Sequence, residues 1–211
     1  KIAFPVTPYD AKGLMATALR GNDPVVFFES QSLYNQVEVC RPEGVPAEYY
    51  AIPMGEPRVV KEGKDLTILT FGSTLYDALD AAKRFEKEYG ISVEVIDGRC
   101  LVPFDYEPLY ESVKKTGKLI LASDACERGS YLHTVAGQIG QIAFDYLDAP
   151  VCVIGAYNWI VPPAEMEEDY FPQPGWFLDA YHTQIRPLPG YQPKTDRTVE
   201  EFLKLSKFGV C

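Results

Sequence analysis

Histidine is scarce in this sequence: His133 and His182 are the only two. A zinc site would need both of them plus a well-placed cysteine or carboxylate, and no spacing brings such a set together. The cysteines, Cys40, Cys100, Cys126, Cys152 and Cys211, contain no C-x-x-C pair. They read as small apolar residues of a reducing compartment rather than disulfide or metal partners. Lysine and arginine nowhere cluster, and the formal net charge is −10, so no nucleic-acid partner is expected. No apolar run reaches the ~18 residues of a membrane span, and no secretory-signal pattern is visible. A cytoplasmic location without membrane contact is therefore the expectation. Motifs of the types G-x-S-x-G, H-E-x-x-H, P-loop and G-x-G-x-x-G are also missing, which removes the best-marked hydrolase, metalloprotease and nucleotide-binding readings.

What is present is organised around residues 66–105. Leu66–Phe71 is a short β-rich run, stopped by Gly72 and Ser73. Leu75, Ala78, Leu79, Ala82 and Phe85 then recur at helical spacing up to Tyr89, and Gly90 ends the helix. Ser92–Ile96 is the next strand. Strand, crossover helix and strand of these lengths make one βαβ unit, hence a parallel pair. Two more units follow: a helix from about Asp105 with strand Lys118–Ala122, and a helix Tyr131–Tyr146 with strand Val151–Ile154. Pro57–Lys61 reads as a short edge strand ahead of them. The fold class is α/β.

Residues 1–5 read as a strand. Thr7 and Pro8 open a helix as N-cap and first-turn proline, with Asp10 favourable near its N-terminus. Gly21 is expected to close it in a left-handed cap. Val25–Phe28 is apolar throughout, as a fully buried strand would be. Residues 1–28 thus read as the last β-α-β of a domain that begins upstream, so that the chain is a fragment. Residues 29–56, with Pro42, Pro46 and Pro53, read as a linker. Residues 57–211 form the second domain, in which 159–174 is a surface loop with a helical turn, Trp176–Ile185 a helix, and Thr198–Ser206 a last amphipathic helix. The aromatic stretch Trp159–Tyr181 suits either an interface or a cover for the domain's own sheet.

Candidate chemistry is sparse. Gly72-Ser73-Thr74 sits where open α/β sheets bind phosphates, but without the glycine fingerprint Ser73 is read as a helix cap. Asp124, Glu127 and Arg128, just past the Lys118 strand, are the most suggestive polar cluster, against a solvated loop with a surface ion pair. Asp97 and Arg99 at the same edge would hold two loops together or meet a partner. His133 is read as structural and His182 as exposed.

These segments, taken in order, resemble a family. Pro8-Tyr9-Asp10-Ala11-Lys12-Gly13-Leu14, Asn22–Glu29 and Leu33-Tyr34 are similar to the β part of the thiamin-diphosphate-dependent 2-oxo acid dehydrogenases. Ile52-Pro53-Met54-Gly55, Asp97–Asp105, Leu147-Asp148-Ala149-Pro150 and Pro162-Pro163-Ala164 continue the likeness, which covers nearly residues 1–174. The resemblance implies a three-layer α/β/α transketolase C-terminal-like domain. Its mostly parallel five-stranded sheet would have an antiparallel edge strand, and the end of a pyrimidine-binding domain would precede it.

The resemblance also implies roles. The intact enzyme would bind thiamin diphosphate and Mg2+, carry out oxidative decarboxylation of a 2-oxo acid, and pass the acyl unit to a lipoyl group. No catalytic or cofactor-binding residue transfers to this chain, which alone is expected to be inactive. A structural K+ site transfers to Ala18, Leu19, Gly21 and Asp23, where an ordinary glycine-capped helix end is the competing reading. Asp148 transfers as a docking residue for the subunit-binding domain of the dihydrolipoyl acyltransferase, against a plain turn residue. The other implied partners are a catalytic α part, separate or fused upstream, and a second β part. Departures are the missing Gly-x-Gly run in Ser123–Tyr131 and the long tail Trp176–Cys211. The competing functions are a non-catalytic interaction module of the same fold and a part of a transketolase or deoxyxylulose-phosphate synthase.

Overall fold

The computed structural model describes residues 1–195 and, beyond them, Glu200, Leu203, Lys204 and Lys207. The expected helix Thr198–Ser206 therefore lies outside the continuously described residues. In chain order the elements are β1 (Ile2–Ala3), α1 (Pro8–Arg20), β2 (Val26–Phe27), β3 (Arg58–Lys61), β4 (Leu66–Phe71), α2 (Thr74–Tyr89), β5 (Val93–Asp97), β6 (Cys100–Val102), α3 (Glu107–Thr116), β7 (Leu119–Cys126), α4 (Tyr131–Ile142), β8 (Cys152–Ala156), α5 (Glu167–Tyr170) and α6 (Pro174–Ala180).

The main sheet has the order β3-β5-β4-β7-β8. Strands β5, β4, β7 and β8 run parallel, and β3 pairs antiparallel with β5 at the edge. The βαβ units and the edge strand are thus where periodicity places them. β4 lies in the middle and is buried at every position. Its two threonines survive there because each finds a partner. The Thr67 hydroxyl meets Ser112 at 2.6 Å and Thr116 at 2.7 Å on α3, and Thr70 donates to the Ile96 carbonyl. A buried hydroxyl without a partner would cost about 1–3 kcal/mol.

Helices cover both faces. On one side Leu75, Ala78, Ala82 and Phe85 of α2, joined by Trp176, Phe177 and Leu178 of α6, pack on Ile68, Val93, Val95, Ile120 and Ile154. On the other, Leu109 and Val113 of α3 and Leu132, Val135 and Ile139 of α4 pack on Leu69, Phe71, Leu119 and Leu121. Sheet residues alternate between these two cores, as the pleat requires. This is the three-layer α/β/α arrangement. The aromatic tail therefore covers the domain's own α2 layer through Trp176 and Phe177, while Trp159 stays mostly exposed. In the last turn of α6, buried Asp179 accepts from the Tyr191 hydroxyl at 2.6 Å and from Thr195 N–H and Oγ1 at 3.0 and 2.8 Å, lashing residues 191–195 to the helix.

β1 and β2 form a second, three-stranded sheet with β6, in the order β2-β1-β6. β1 and β2 are parallel through the α1 crossover, as the β-α-β reading requires, while β6 runs antiparallel to β1. Strand β6 was not foreseen: three residues are too short for periodicity to show. Two expectations fail here. Val25–Phe28 is not a fully buried strand; only Val26–Phe27 pairs, and Val26 and Phe28 are about half exposed because β2 is an edge strand. Gly21 is not left-handed: its φ is −77°, and its N–H caps the helix by donating to the Thr17 and Ala18 carbonyls. The segment 29–56 is packed on α1. Lys12 donates to the carbonyls of Pro46, Ala47 and Glu48, Ile52 N–H donates to the Gly13 carbonyl, and Tyr50 stacks on Tyr9 at 4.5 Å.

Phe85 is fully buried and meets Tyr181 edge-on at 5.3 Å. Phe85→Ala is expected to lower unfolding free energy by about 3–5 kcal/mol in urea denaturation, with an unchanged m value. Leu19→Ala, at a position 79% exposed, should stay within about 0.5 kcal/mol of the parent.

Candidate functional site

The densest polar chemistry lies where the two sheets meet. Thr7 caps α1, accepting from Asp10 N–H at 3.2 Å and donating to Asp10 Oδ2 at 2.8 Å. This fixes the Asp10 carboxylate, which is fully buried. Arg99 Nη2 lies 2.6 Å from Asp10 Oδ1, and Arg58 Nη1 lies 3.6 Å from Oδ2. Arg58 also donates to the Cys40 carbonyl at 3.2 Å. One carboxylate thus joins α1 to β3 and to the turn after β5.

That turn is tightly made. Arg99 has φ +56°, a left-handed conformation that costs a residue with a Cβ some energy. A side chain at Gly98 would strike the Phe71 ring at 2.2 Å. Arg99 N–H donates to Asp97 Oδ1 at 3.0 Å. Asp97 is fully buried, and burial, reinforced by the Asp10 charge, pushes its carboxyl up to about 7. Asp97 Oδ2 and Arg99 Nε have no hydrogen-bond partner. An open groove of about 600 Å3 reaches this junction, lined in part by Tyr9, Cys40, Arg41, Arg58 and Arg99. Asp97 and Arg99 do not pair side chain to side chain: Asp97 takes the Arg99 backbone N–H within one turn, and the Arg99 guanidinium reaches Asp10 on α1 instead. The role of Asp10 was read only as a helix-dipole effect, because its partners lie far away in sequence.

The phosphate-type position is closed. β4 pairs parallel with β5 on one side and β7 on the other, so the crevice past β4 and β7 is the point where ligands enter open sheets. There the Phe4 ring lies 2.6 Å from where a Cβ on Gly72 would stand. Ser73 makes no capping bond, contrary to expectation; its hydroxyl donates instead to Asp124 Oδ2 at 3.0 Å, and burial raises the Asp124 carboxyl. Asp124 therefore faces Ser73, and Glu127 N–H pairs with the Ala156 carbonyl of β8. His133 is exposed at the start of α4. His182 is not exposed as expected: it is half-buried, and its Nδ1 accepts from Leu188 N–H at 2.9 Å.

The residues implied for K+ lie at the end of α1. The Ala18 carbonyl accepts from Gly21 N–H at 3.2 Å, Leu19 is exposed, and the Asp23 carboxylate pairs with the Lys1 ammonium at 2.9 Å. Among the described residues, no three His, Cys, Asp or Glu side chains converge on a metal position. Asp148 lies on the exposed turn between α4 and β8. Its N–H donates to the Gly117 carbonyl at 2.8 Å, its side chain is 70% exposed, and Lys118 Nζ stands 3.4 Å away. A Cβ on Gly117 would strike Asp148 Oδ2 at 2.3 Å, so the missing side chain leaves room for that carboxylate. No helix among the described residues is long and apolar enough to cross a membrane.

Asp10→Ala would leave Arg99 nine-tenths buried without its acid. The expected loss is about 3–5 kcal/mol of stability, with little salt dependence, by denaturant titration at low and high ionic strength.

Three comparisons bear on this architecture. The chain is 39% identical over 172 residues to the pyruvate dehydrogenase E1 component subunit beta of Bacillus subtilis, covering 82% of this chain and 51% of the relative. It is 41% identical over 172 residues to the 2-oxoisovalerate dehydrogenase subunit beta of the same organism, covering 81% and 51%. Among solved structures it is similar to a split-gene transketolase described as an inactive beta4 tetramer, with a TM-score of 0.61 and 28% identity, covering 79% of this chain and 51% of that one. The chain spans about half the length of the curated relatives it matches. The family model described as "Transketolase, C-terminal domain" matches residues 55–175, a span that holds every strand of the main sheet, and the chain belongs to that family.

Proposed function

We propose that this chain is the β-type portion of a thiamin-diphosphate-dependent 2-oxo acid dehydrogenase, serving subunit assembly and docking. The observation that carries the reading is the likeness over 172 residues, 39% and 41% identical, to pyruvate and 2-oxoisovalerate dehydrogenase β subunits. The likeness to the split-gene transketolase is lower, at 28%, and favours the dehydrogenase class over the transketolase class. Relatives named acetoin:2,6-dichlorophenolindophenol oxidoreductase subunit beta stand at 40%, so similarity alone does not choose the 2-oxo acid.

In this reading the cofactor supplies the carbanion-stabilising chemistry of decarboxylation in the assembled enzyme. This chain's residues hold the two sheets together through Asp10 and present Asp148 to a partner. The partners are a catalytic α part, a second β part and the basic subunit-binding domain of a dihydrolipoyl acyltransferase. Asp148 suits the last because an exposed, backbone-fixed carboxylate gives directional bonding to an arginine. Lys118 is its present neighbour and would be displaced or shared. A K+ ion at the end of α1 belongs to the same proposal, but its fit is poor as the side chains stand: Asp23 would have to leave Lys1.

Calorimetric titration with the subunit-binding domain tests the docking role. Asp148→Ala is expected to weaken binding by roughly 5- to 30-fold at low salt, and by less as salt rises. Equal affinity of the variant and the parent would sink the assignment. Titration with thiamin diphosphate and Mg2+ should give no one-site binding; a saturable site would place the cofactor within this chain and overturn the proposed division of labour.

A further inference from the structure

We infer that Asp97 is a proton-operated latch between the small sheet and the main sheet: while its carboxyl is protonated, Arg99 is committed to Asp10, and when it ionises, Arg99 is drawn between two carboxylates and its hold on α1 loosens. The geometry carries this. Asp97 sits at the end of β5, and its Oδ1 accepts from the backbone of Arg99, the same residue whose guanidinium meets Asp10. The other carboxylate oxygen, Oδ2, is buried without a hydrogen-bond partner. A neutral carboxyl tolerates that isolation better than a carboxylate does, and Arg99 is the cation whose charge acts most on it. Arg99 Nε is itself unpartnered, so the guanidinium has a donor to offer a second acid.

The groups around Asp97 leave it as the one that changes near neutral pH. Asp10 faces it from α1, Arg58 from β3, and Arg99 from its own turn. Cys100 on β6 and Cys40 in the 29–56 segment have thiols raised by burial, and Tyr76 on α2 is pushed up to about 12, so all three stay neutral there. Asp97 is held up to about 7 by burial and then by Asp10, against about 3.9 for a free aspartate. The folded state therefore binds this proton more tightly than the unfolded chain. The stability it brings is full below about pH 4 and is lost as pH rises through about 7. Opening on the alkaline side follows from that sign.

The remaining ties decide what opens. β1 is held by its pairing with β6 and by Phe4 N–H on the Arg99 carbonyl at 2.7 Å, which carry no titrating group. The first turn of α1 depends on Asp10. Later turns of α1 keep their ties to the 29–56 segment through Lys12, Gly13 and Thr17, so the latch acts on the first turn of α1 and leaves the core of the main sheet closed.

Hydrogen–deuterium exchange of the whole chain, with rates corrected for the intrinsic pH effect, tests it between about pH 5.5 and about pH 8.5. Protection of amides in the first turn of α1 is expected to fall by about tenfold across that range while β4 and α2 hold theirs. Asp97→Asn, which fixes the neutral shape, should make that protection independent of pH. A pH-independent first turn in the parent, or the same fall in Asp97→Asn, overturns the proposal. Should the variant fail to fold, the carboxyl-carbon resonance of Asp97 in the parent decides: a midpoint near neutrality supports the latch, and one below about 5 overturns it.

Discussion

The buried Asp10 carboxylate is the contact on which the arrangement of the two sheets depends. It is local at one end and remote at the other. Thr7 fixes it within its own helix, and Arg58 and Arg99 approach it from the main domain. Two guanidiniums on one carboxylate leave a surplus of positive charge, which neighbouring Asp97 would balance if it ionised. It is kept from doing so mainly by burial. The junction therefore combines strong bonding with incomplete satisfaction, a combination that a purely apolar contact would not show.

The sheet order and the helical layers were legible because each rests on local signals. β4 is a continuous β-rich run, α2 repeats apolar residues every three or four positions, and Gly90 and Gly117 adopt the left-handed conformation that ends their helices. Asp97 and Arg99 stand at the sheet edge where the sequence places them, but the Arg99 guanidinium turns to Asp10. What could not be read was contact between distant residues. Asp10 looks like any first-turn acid until Arg99 arrives beside it. Val25–Phe28 looks like a core strand because hydrophobicity says nothing about which strands lie at an edge. Ser73 looks like a cap, yet it turns to Asp124, a partner that only the parallel pairing of β4 with β7 supplies.

The same limit applies at the sheet's carboxyl edge. Topology marks the crevice between β4 and β7 as a place for ligands, and the sequence offers glycine and serine there. The structure fills it with Phe4, brought in by the small sheet. A local motif at a favoured position is therefore only half of a site; the other half is whether anything else in the chain already occupies it. Asp148 shows the reverse case: an ordinary turn residue becomes a fixed, outward-facing carboxylate because Gly117 leaves room for it.

Strand β6 has a consequence for synthesis. The parallel partner of β1, strand β2, follows it closely in sequence, but the other edge of β1 waits for Cys100 to meet Ala3. At about 5–20 residues per second, that edge stays unpaired for several seconds or more. During this interval the nascent chain presents an open strand beside the apolar residues Val26 and Phe28. Of the pairings among the described strands, the one between β1 and β6 spans the longest stretch of sequence, so its open edge waits longest for a partner.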